Sequence, residues 1–102
     1  MKKIKLYLEY RCYPMWIYDE QDELVDNAIV PELIYHTSIV QALDQIQAIY
    51  DRLFKDNNIS FEFEGFTEQQ DKEDFLKLVS ETTFLIENQL KNDYKIENKI
   101  MI

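Results

Sequence analysis

The sequence predicts an α+β fold in which two amphipathic helices pack on one face of a mostly antiparallel sheet of three to five strands. Short segments that alternate between apolar and polar residues predict the strands. Two longer segments repeat apolar residues with the 3.6-residue period of a helix and predict the helices. With 102 residues, 46% of them hydrophobic, the chain can bury one core, so we expect residues 1–102 to form a single domain.

The N-terminal part of the chain predicts two strands and a shorter third one. Residues 3–10 alternate in the manner of a half-buried strand, with one apolar face made by Ile4, Leu6 and Leu8. Residues 15–19 predict a second strand that forms a hairpin with the first. A short third strand is expected at residues 23–27, after an acidic turn.

The second predicted strand carries two pairs of large side chains on opposite faces. Trp16 and Tyr18 share one face, and Met15 and Ile17 share the other, because successive side chains alternate across a strand. One pair must face the core. The sequence leaves open which of the two pairs faces outward.

The middle of the chain predicts the first helix over residues 38–55. Its apolar residues form one stripe, made by Ile39, Leu43, Ile46, Ile49, Tyr50 and Leu53. Ser38 followed by Gln41 has the pattern of a capping box at the start of this helix. The polar cluster at residues 56–58 is expected to end it.

The C-terminal half adds a strand, a second helix and a last optional strand. Ile59, Phe61 and Phe63 alternate with polar residues and predict a strand. Thr67 and Gln70 have the capping-box pattern before a second helix that runs to about residue 92. Residues 94–101 are expected to add an edge strand or to fray, so the predicted order is β-β-(β)-α-β-α-(β).

The negative charge is concentrated in one part of the sequence. The net charge is −9, and no lysine or arginine occurs between Arg11 and Arg52. That interval holds eight carboxylates, whereas the rest of the chain carries 12 carboxylates and 11 basic residues. Nucleic acids and anionic membranes repel such a surface, so we expect neither as a partner. The expected partner is a protein with a basic face.

The sequence favours no catalytic or metal-binding role. His36 is the only histidine and has no nucleophile placed beside it by a recognisable motif, and Cys12 lacks the Cys-x-x-Cys spacing. A single glycine rules out glycine-rich phosphate and dinucleotide loops. A calcium loop that starts at Asp19 would need ligands and a glycine where the chain has Gln21 and Leu24. We therefore expect a protein that is not an enzyme and holds no cofactor or metal.

The residue types around the acidic turn are those of a protein-binding surface. Aromatic residues beside a carboxylate rim are typical of a binding hot spot with electrostatic steering. The alternative is that the outward pair is simply covered by another element. The candidate partner-binding residues are Trp16, Tyr18, Asp19, Glu20, Asp22, Glu23, Asp26 and Glu32, together with Asp44 and Asp51 on the exposed face of the first helix.

The stretch CYPMWIYDEQDELVDN (residues 12–27), the Gln/Asp-rich helix and the strand ISFEFEGF (residues 59–66) extend this interpretation. Together they resemble small acidic proteins of Gram-positive bacteria encoded beside secreted polymorphic toxins. The resemblance implies an immunity protein that binds its cognate toxin one to one and blocks the active site. It also implies a cytoplasmic location, in agreement with one cysteine and an N-terminus that lacks an apolar signal segment.

Three other functions stay open at this stage. One is a nucleic-acid mimic, although its carboxylates should be spaced like phosphates and here they are bunched in one turn. Another is a small ligand-binding protein, which needs a concave pocket. The last is an accessory subunit of a phage or bacterial complex whose acidity serves only solubility.

Overall fold

The computed structural model describes residues 1–56 and 60–102. Within these residues the chain forms two α-helices, a short 3-10 helix and six strands. The strands are β1 Lys2–Leu6, β2 Met15–Tyr18, β3 Leu24–Asp26, β4 Phe54–Asp56, β5 Phe61–Phe63 and β6 Tyr94–Asn98. The helices are α1 Thr37–Asp51 and α2 Gln69–Leu90, and the 3-10 helix spans Pro31–Leu33. The α+β fold class is confirmed.

Strands β3, β2, β1 and β6 form the main sheet in that order. The predicted hairpin is confirmed, because β1 and β2 pair antiparallel with Leu6 opposite Met15. Of the two alternatives for residues 94–101, the structure shows the edge strand, which spans Tyr94–Asn98. It pairs parallel to β1, with Ile4 beside Ile96, so the sheet is mostly rather than fully antiparallel.

The two helices cover the same face of this sheet, as the apolar patterns predict. Ile4, Leu6 and Met15 from the sheet join one buried cluster with Ile39 and Leu43 of α1 and Ile86 and Leu90 of α2. Burial of each such side chain contributes about 1.5–3 kcal/mol. This cluster fixes the helical layer on one side of the sheet and leaves the other side open.

The orientation of β2, which the sequence leaves open, follows from this packing. Met15 is fully buried and Ile17 packs against the same cluster. Trp16 lies opposite Lys5 and Tyr18 opposite Lys3 on the β1–β2 ladder. Since side chains alternate along a strand, Trp16 and Tyr18 point to the open face of the sheet.

The predicted C-terminal end of the first helix, at residue 55, is wrong. Helix α1 ends at Asp51, and Phe54 already begins β4, which pairs antiparallel with β5. Leu53 fits the helical stripe and is buried, yet the residues after it gain backbone partners on β5. Strand pairing therefore replaces the last helical turn. Of the predicted polar cluster, residues 57 and 58 lie outside the described residues.

The predicted strand around Phe61 and Phe63 is confirmed, but it belongs to a separate sheet. Among the described residues β5 pairs with β4 alone. Phe61 and Phe63 keep about half of their surface exposed, 55% and 51%. Their rings contact those of Tyr10, Tyr50 and Phe54 at centroid distances between 4.9 and 6.2 Å. Ile59, predicted in the same strand, lies outside the described residues.

Both helices begin without the capping boxes that the sequence predicts. His36 is the N-cap residue of α1 and Glu68 that of α2, and neither side chain caps its helix. The acidic residue Asp71 in the first turn of α2 instead complements the helix dipole. The helix positions were predictable from the apolar period, whereas their first residues were not.

Candidate protein-binding surfaces

The open face of the main sheet displays an apolar groove of about 490 Å³. We call it the open-face patch, and it is lined by Lys5, Tyr7, Glu9, Trp16, Tyr18, Leu24 and Lys99. The strand register assembles it, because Trp16 lies opposite Lys5 and Tyr18 opposite Leu24. Tyr7 and Leu24 are 44% and 52% exposed. The patch therefore presents large side chains to solvent in the middle of a strand pair.

Two contacts hold the rings of the open-face patch in place. The indole Nε1 of Trp16 donates a hydrogen bond of 3.0 Å to the carbonyl oxygen of Tyr7. The ammonium of Lys5 lies 4.4 Å from the centre of the Tyr18 ring, within the range of a cation–π contact. Little side-chain entropy remains to be lost when a partner binds such fixed rings.

The acidic turn between β2 and β3 is organised by one of its own carboxylates. Asp19 Oδ1 accepts hydrogen bonds from the backbone N–H groups of Gln21 and Glu23 at 2.9 and 3.0 Å. Asp22 adopts a left-handed backbone conformation with φ of +65°. Aspartate is well suited to both positions, because its short side chain bonds nearby backbone and tolerates this conformation. Asp19 therefore has a structural role in addition to any binding role.

Basic groups from β1 and the N-terminus lie beside this turn. The Lys3 ammonium is 3.0 Å from Asp22 Oδ1 and 3.2 Å from Glu97 Oε1. Its hydrogen bonds lower the pKa of both carboxyl groups, and they raise the pKa of Lys3. The N-terminal ammonium lies 3.9 Å from Glu20. The turn is thus less negative than its sequence indicates.

Asp26 and Glu32 lie away from the turn and have local partners. Asp26 Oδ1 accepts a hydrogen bond of 2.8 Å from the backbone N–H of Asn27. Glu32, in the 3-10 helix, lies close to Tyr94 on β6. Burial first, and then the interaction with the Glu32 carboxylate, raise the pKa of Tyr94 to about 12.

The two aspartates of α1 face the connection between β1 and β2. Asp51 Oδ1 accepts hydrogen bonds from the backbone N–H of Arg11 at 2.8 Å and from Gln47 Nε2 at 2.7 Å. Asp44 is exposed. Burial first, and the negative charge of Asp44 second, raise the pKa of Tyr13 to about 12. These two aspartates border a shallow groove beside residues 11–13.

The ten predicted binding residues therefore lie on more than one surface. The structure brings Trp16 and Tyr18 together on the open face, and the four carboxylates of residues 19–23 lie at the end of β2 that leads into the turn. It does not bring Asp44 and Asp51 to them, because α1 lies on the other side of the sheet. The turn also lies at the opposite end of β2 from the connection that Asp51 contacts.

The charges of the two layers differ in sign. Helices α1 and α2 together carry seven carboxylates and two lysines. The four strands of the main sheet carry four lysines and two carboxylates. The sequence predicts the acidic excess near residues 12–51, but folding places Lys3 and Lys5 of β1 directly beside β2.

Five residues of the open-face patch were not predicted from the sequence, namely Lys5, Tyr7, Glu9, Leu24 and Lys99. Their position beside Trp16 and Tyr18 depends on how the strands pair, which a reading of one segment at a time does not reveal.

His36 and Cys12 lie outside the open-face patch, the first at the start of α1 and the second in the β1–β2 connection. Over the described ranges, no three histidine, cysteine or carboxylate groups lie close enough to hold a metal ion. In the same part of the chain, neither helix is both long and apolar enough to span a membrane.

Comparison with known proteins identifies the family. Residues 2–98 match a family described as Serratia CdiI immunity protein-like. No curated protein matches the chain. The match confirms the resemblance to immunity proteins, while the Gram-positive source stays a prediction. Because nearly the whole sequence is matched, the chain belongs to the Serratia CdiI immunity protein-like family.

Proposed function

We propose that this protein binds one cognate toxin domain of a contact-dependent inhibition system and blocks its active site. The family supports an immunity role. In this proposal the inhibitor acts in the cytoplasm and has no catalysis of its own. The observation that carries the proposal is the open-face patch, where Tyr7 and Leu24 are exposed and Trp16 and Tyr18 are partly exposed, while the helical layer covers only the other side of the sheet.

An uncovered aromatic strand pair is unusual for a sheet face that contacts only water. The outward residues of such a face are normally polar, because strands with one buried face alternate apolar-in and polar-out. Here Tyr7, Trp16 and Tyr18 occupy outward positions. Tryptophan and tyrosine are the residues most enriched in binding hot spots, and these rings are held by Lys5 and by a backbone carbonyl. We infer that the toxin covers this patch.

The acidic turn adds a steering role at one end of the patch. Glu20 and Glu23 are exposed, and among the described residues it is the Asp19 carboxylate rather than theirs that accepts the backbone N–H groups of the turn. A toxin with a basic face would be attracted to them, so association would be fast and sensitive to salt. Asp19 and Asp22 contribute charge as well, but Asp22 is paired with Lys3.

The predicted residues of α1 define a second location for the same function. Asp44 and Asp51 lie on a helix that contains no basic residue. A toxin that binds there would leave the open-face patch free, because the two lie on different sides of the sheet. We place the main contact on the open face, since the α1 location has no exposed tryptophan or tyrosine cluster among the residues that line its groove.

The test measures affinity for the toxin domain encoded by the neighbouring gene, by isothermal titration calorimetry. Trp16→Ala and Tyr18→Ala should each weaken binding at least about 30-fold, the effect of losing roughly 2 kcal/mol. Tyr35→Ala is the matched control, because Tyr35 is an aromatic residue that is 94% exposed outside the patch. It should leave the affinity unchanged.

Two outcomes would contradict the proposal at different levels. If the unaltered protein neither binds the toxin nor protects cells from it, the immunity role is wrong. If it binds but Trp16→Ala has no effect while Asp44→Asn and Asp51→Asn weaken binding, the toxin contacts α1. The charge-reversed pair Glu20→Lys and Glu23→Lys should slow association, compared with Glu73→Lys and Glu87→Lys on α2 as a control of equal charge change.

A further inference from the structure

A second groove lies within the helical layer, between the C-terminal end of α1 and the N-terminal end of α2. Its volume is about 600 Å³. The floor is apolar and consists of Ile49, Leu53, Phe75 and Leu78. Leu53 and Phe75 are buried, so they belong to the packed interior and form a fixed floor. None of the ten predicted binding residues lines this groove.

The wall of the groove is held by backbone contacts. The carbonyl oxygen of Leu53 accepts hydrogen bonds from the N–H groups of Glu64 and Gly65 at 2.7 and 3.2 Å. Gly65 has φ of +74°, a conformation that glycine adopts without strain, and it turns the chain away from β5. Phe66 then packs against Phe75 with a ring-centroid distance of 5.5 Å. The shape of the groove therefore belongs to the folded protein.

The rim of the groove is negatively charged. It carries Glu64, Asp71 and Asp74, which are exposed, and a single basic group, Arg52. Within the described part of the chain none of these three carboxylates forms an ion pair, and Asp74 accepts only a hydrogen bond from Gln70.

The helix dipoles do not cancel this charge. The positive end of α2 and the negative end of α1 both lie at the groove, and each amounts to about half an elementary charge. They offset each other, so the rim keeps an excess of two negative charges from its side chains. An apolar floor below an anionic rim is complementary to a side chain with an aliphatic stem and a cationic head.

We propose that this groove holds a lysine or arginine side chain from a segment of a second protein. The aliphatic stem lies on Ile49 and Leu78, and the head group bonds to Asp71 and Asp74. The site goes beyond toxin inhibition, because it lies on the helical side while the open-face patch lies on the other side of the sheet. Both surfaces can therefore be occupied at the same time.

The probe is the capped peptide acetyl-Ala-Leu-Arg-Leu-Ala-amide, titrated into the ¹⁵N-labelled full chain and followed by NMR. We expect saturable shifts of the backbone amides of Gly65, Thr67, Asp71 and Leu78. The same peptide with citrulline in place of arginine keeps the shape but loses the charge. It should bind about tenfold more weakly, because charge-assisted hydrogen bonds are the stronger ones.

Substitutions test whether peptide binding depends on this groove or on the overall negative charge of the protein. Asp71→Asn with Asp74→Asn should weaken peptide binding about tenfold. The pair Glu81→Gln and Glu87→Gln removes the same charge from the far half of α2 and should have no effect, as should Trp16→Ala. Equal binding of the citrulline peptide, shifts centred on the β2–β3 turn, unchanged affinity of the Asp71/Asp74 variant or a lack of saturable shifts would each overturn the proposal. The experiment uses no toxin, so a negative result for the groove leaves the proposed immunity role untouched.

Discussion

The side chain of Asn27 is bonded to the backbone of Tyr13 in both directions. Tyr13 N–H donates to Asn27 Oδ1 at 3.0 Å, and Asn27 Nδ2 donates back to the carbonyl oxygen of Tyr13. The same Nδ2 donates to the carbonyl oxygen of Met15 at 2.9 Å. One amide thus fastens the segment after β3 to the residues that enter β2, in place of strand pairing.

Replacement of Asn27 should therefore destabilise the whole sheet. Asn27→Ala removes three partly buried hydrogen bonds, each worth about 0.5–1.5 kcal/mol, so we expect a loss of about 2–3 kcal/mol in the free energy of unfolding. Urea unfolding followed by circular dichroism measures it. Asn88→Ala, at an exposed position of α2, is the matched control and should change stability by less than about 0.5 kcal/mol. A similar loss of unfolding free energy in both variants would contradict this role of the Asn27 hydrogen bonds.

The Lys3 ion pairs predict a defined pH window. Folding lowers the pKa of Asp22 and of Glu97 below their ordinary values of 3.8 and 4.5, and raises that of Lys3 above 10.5. A lowered carboxyl pKa contributes stability above the unfolded pKa, and this contribution is lost as the pH falls through the folded value. The raised pKa of Lys3 contributes stability below pH 10.5, and this stability is lost as the pH rises through the pKa of the folded state.

Lys3→Met should consequently lower the urea midpoint at pH 7 more than at pH 3. The difference in urea midpoint between the variant and the unaltered protein should be constant between about pH 5 and 10. It should become smaller below pH 5 and above pH 10. It should also shrink in 1 M salt, because the side chains involved remain partly exposed. Lys77→Met is the control, since its contact with Glu81 is long at 3.9 Å and fully on the surface. A pH-independent difference would show that Lys3 acts by packing alone.

Two tyrosines should ionise late in an alkaline titration. Burial raises the pKa of Tyr13 and of Tyr94 to about 12, from an ordinary value of 10. Because the neutral phenol is favoured by folding, the associated stability is present below pH 10 and is lost as the pH rises toward 12. Ultraviolet difference spectra should show these two rings titrating after the exposed ones. Glu32→Gln should lower the pKa of Tyr94 only in part, because burial is the larger cause of its rise, and an unchanged titration would contradict the role of the carboxylate.

The β4–β5 hairpin should be less stable than the main sheet. Ile86 is fully buried beneath that sheet, so Ile86→Ala should cost about 2–5 kcal/mol. Phe61 is half exposed in a sheet that pairs with no other described strand, so Phe61→Ala should cost only about 1 kcal/mol. Amide hydrogen exchange should accordingly be faster in β5 than in β1. Equal protection of the two strands would mean that the hairpin unfolds only with the whole protein.

Most elements of the fold were predictable because their apolar residues have a clear period. In α2 the apolar residues Phe75, Val79 and Ile86 recur with the helical period and are buried. The end of α1 was not predictable, because Leu53 suits a helix and a strand-entry turn equally. The choice depends on pairing between β4 and β5, and a pairing partner is not visible in the local pattern of one segment.

The candidate site was only partly predictable for a similar reason. The sequence places Trp16 and Tyr18 on one strand face, and the structure adds that this face is open. The charge near that face depends on contacts between distant residues. Lys3 and Asp22 are 19 positions apart, yet their charged atoms lie 3.0 Å from each other. A count of charges along the chain cannot include such pairs.

The parallel pairing of β1 with β6 has a consequence for the timing of protection. Strand β1 begins at residue 2 and its neighbour β6 ends at residue 98. The two strands therefore cannot pair while the ribosome still holds the residues of β6. Contacts this distant in sequence also slow folding. A newly made molecule would gain its finished sheet only after synthesis has passed β6. If the proposed function depends on the finished sheet, only completed molecules would carry it out, because a chain that is still being translated lacks the β1–β6 pair.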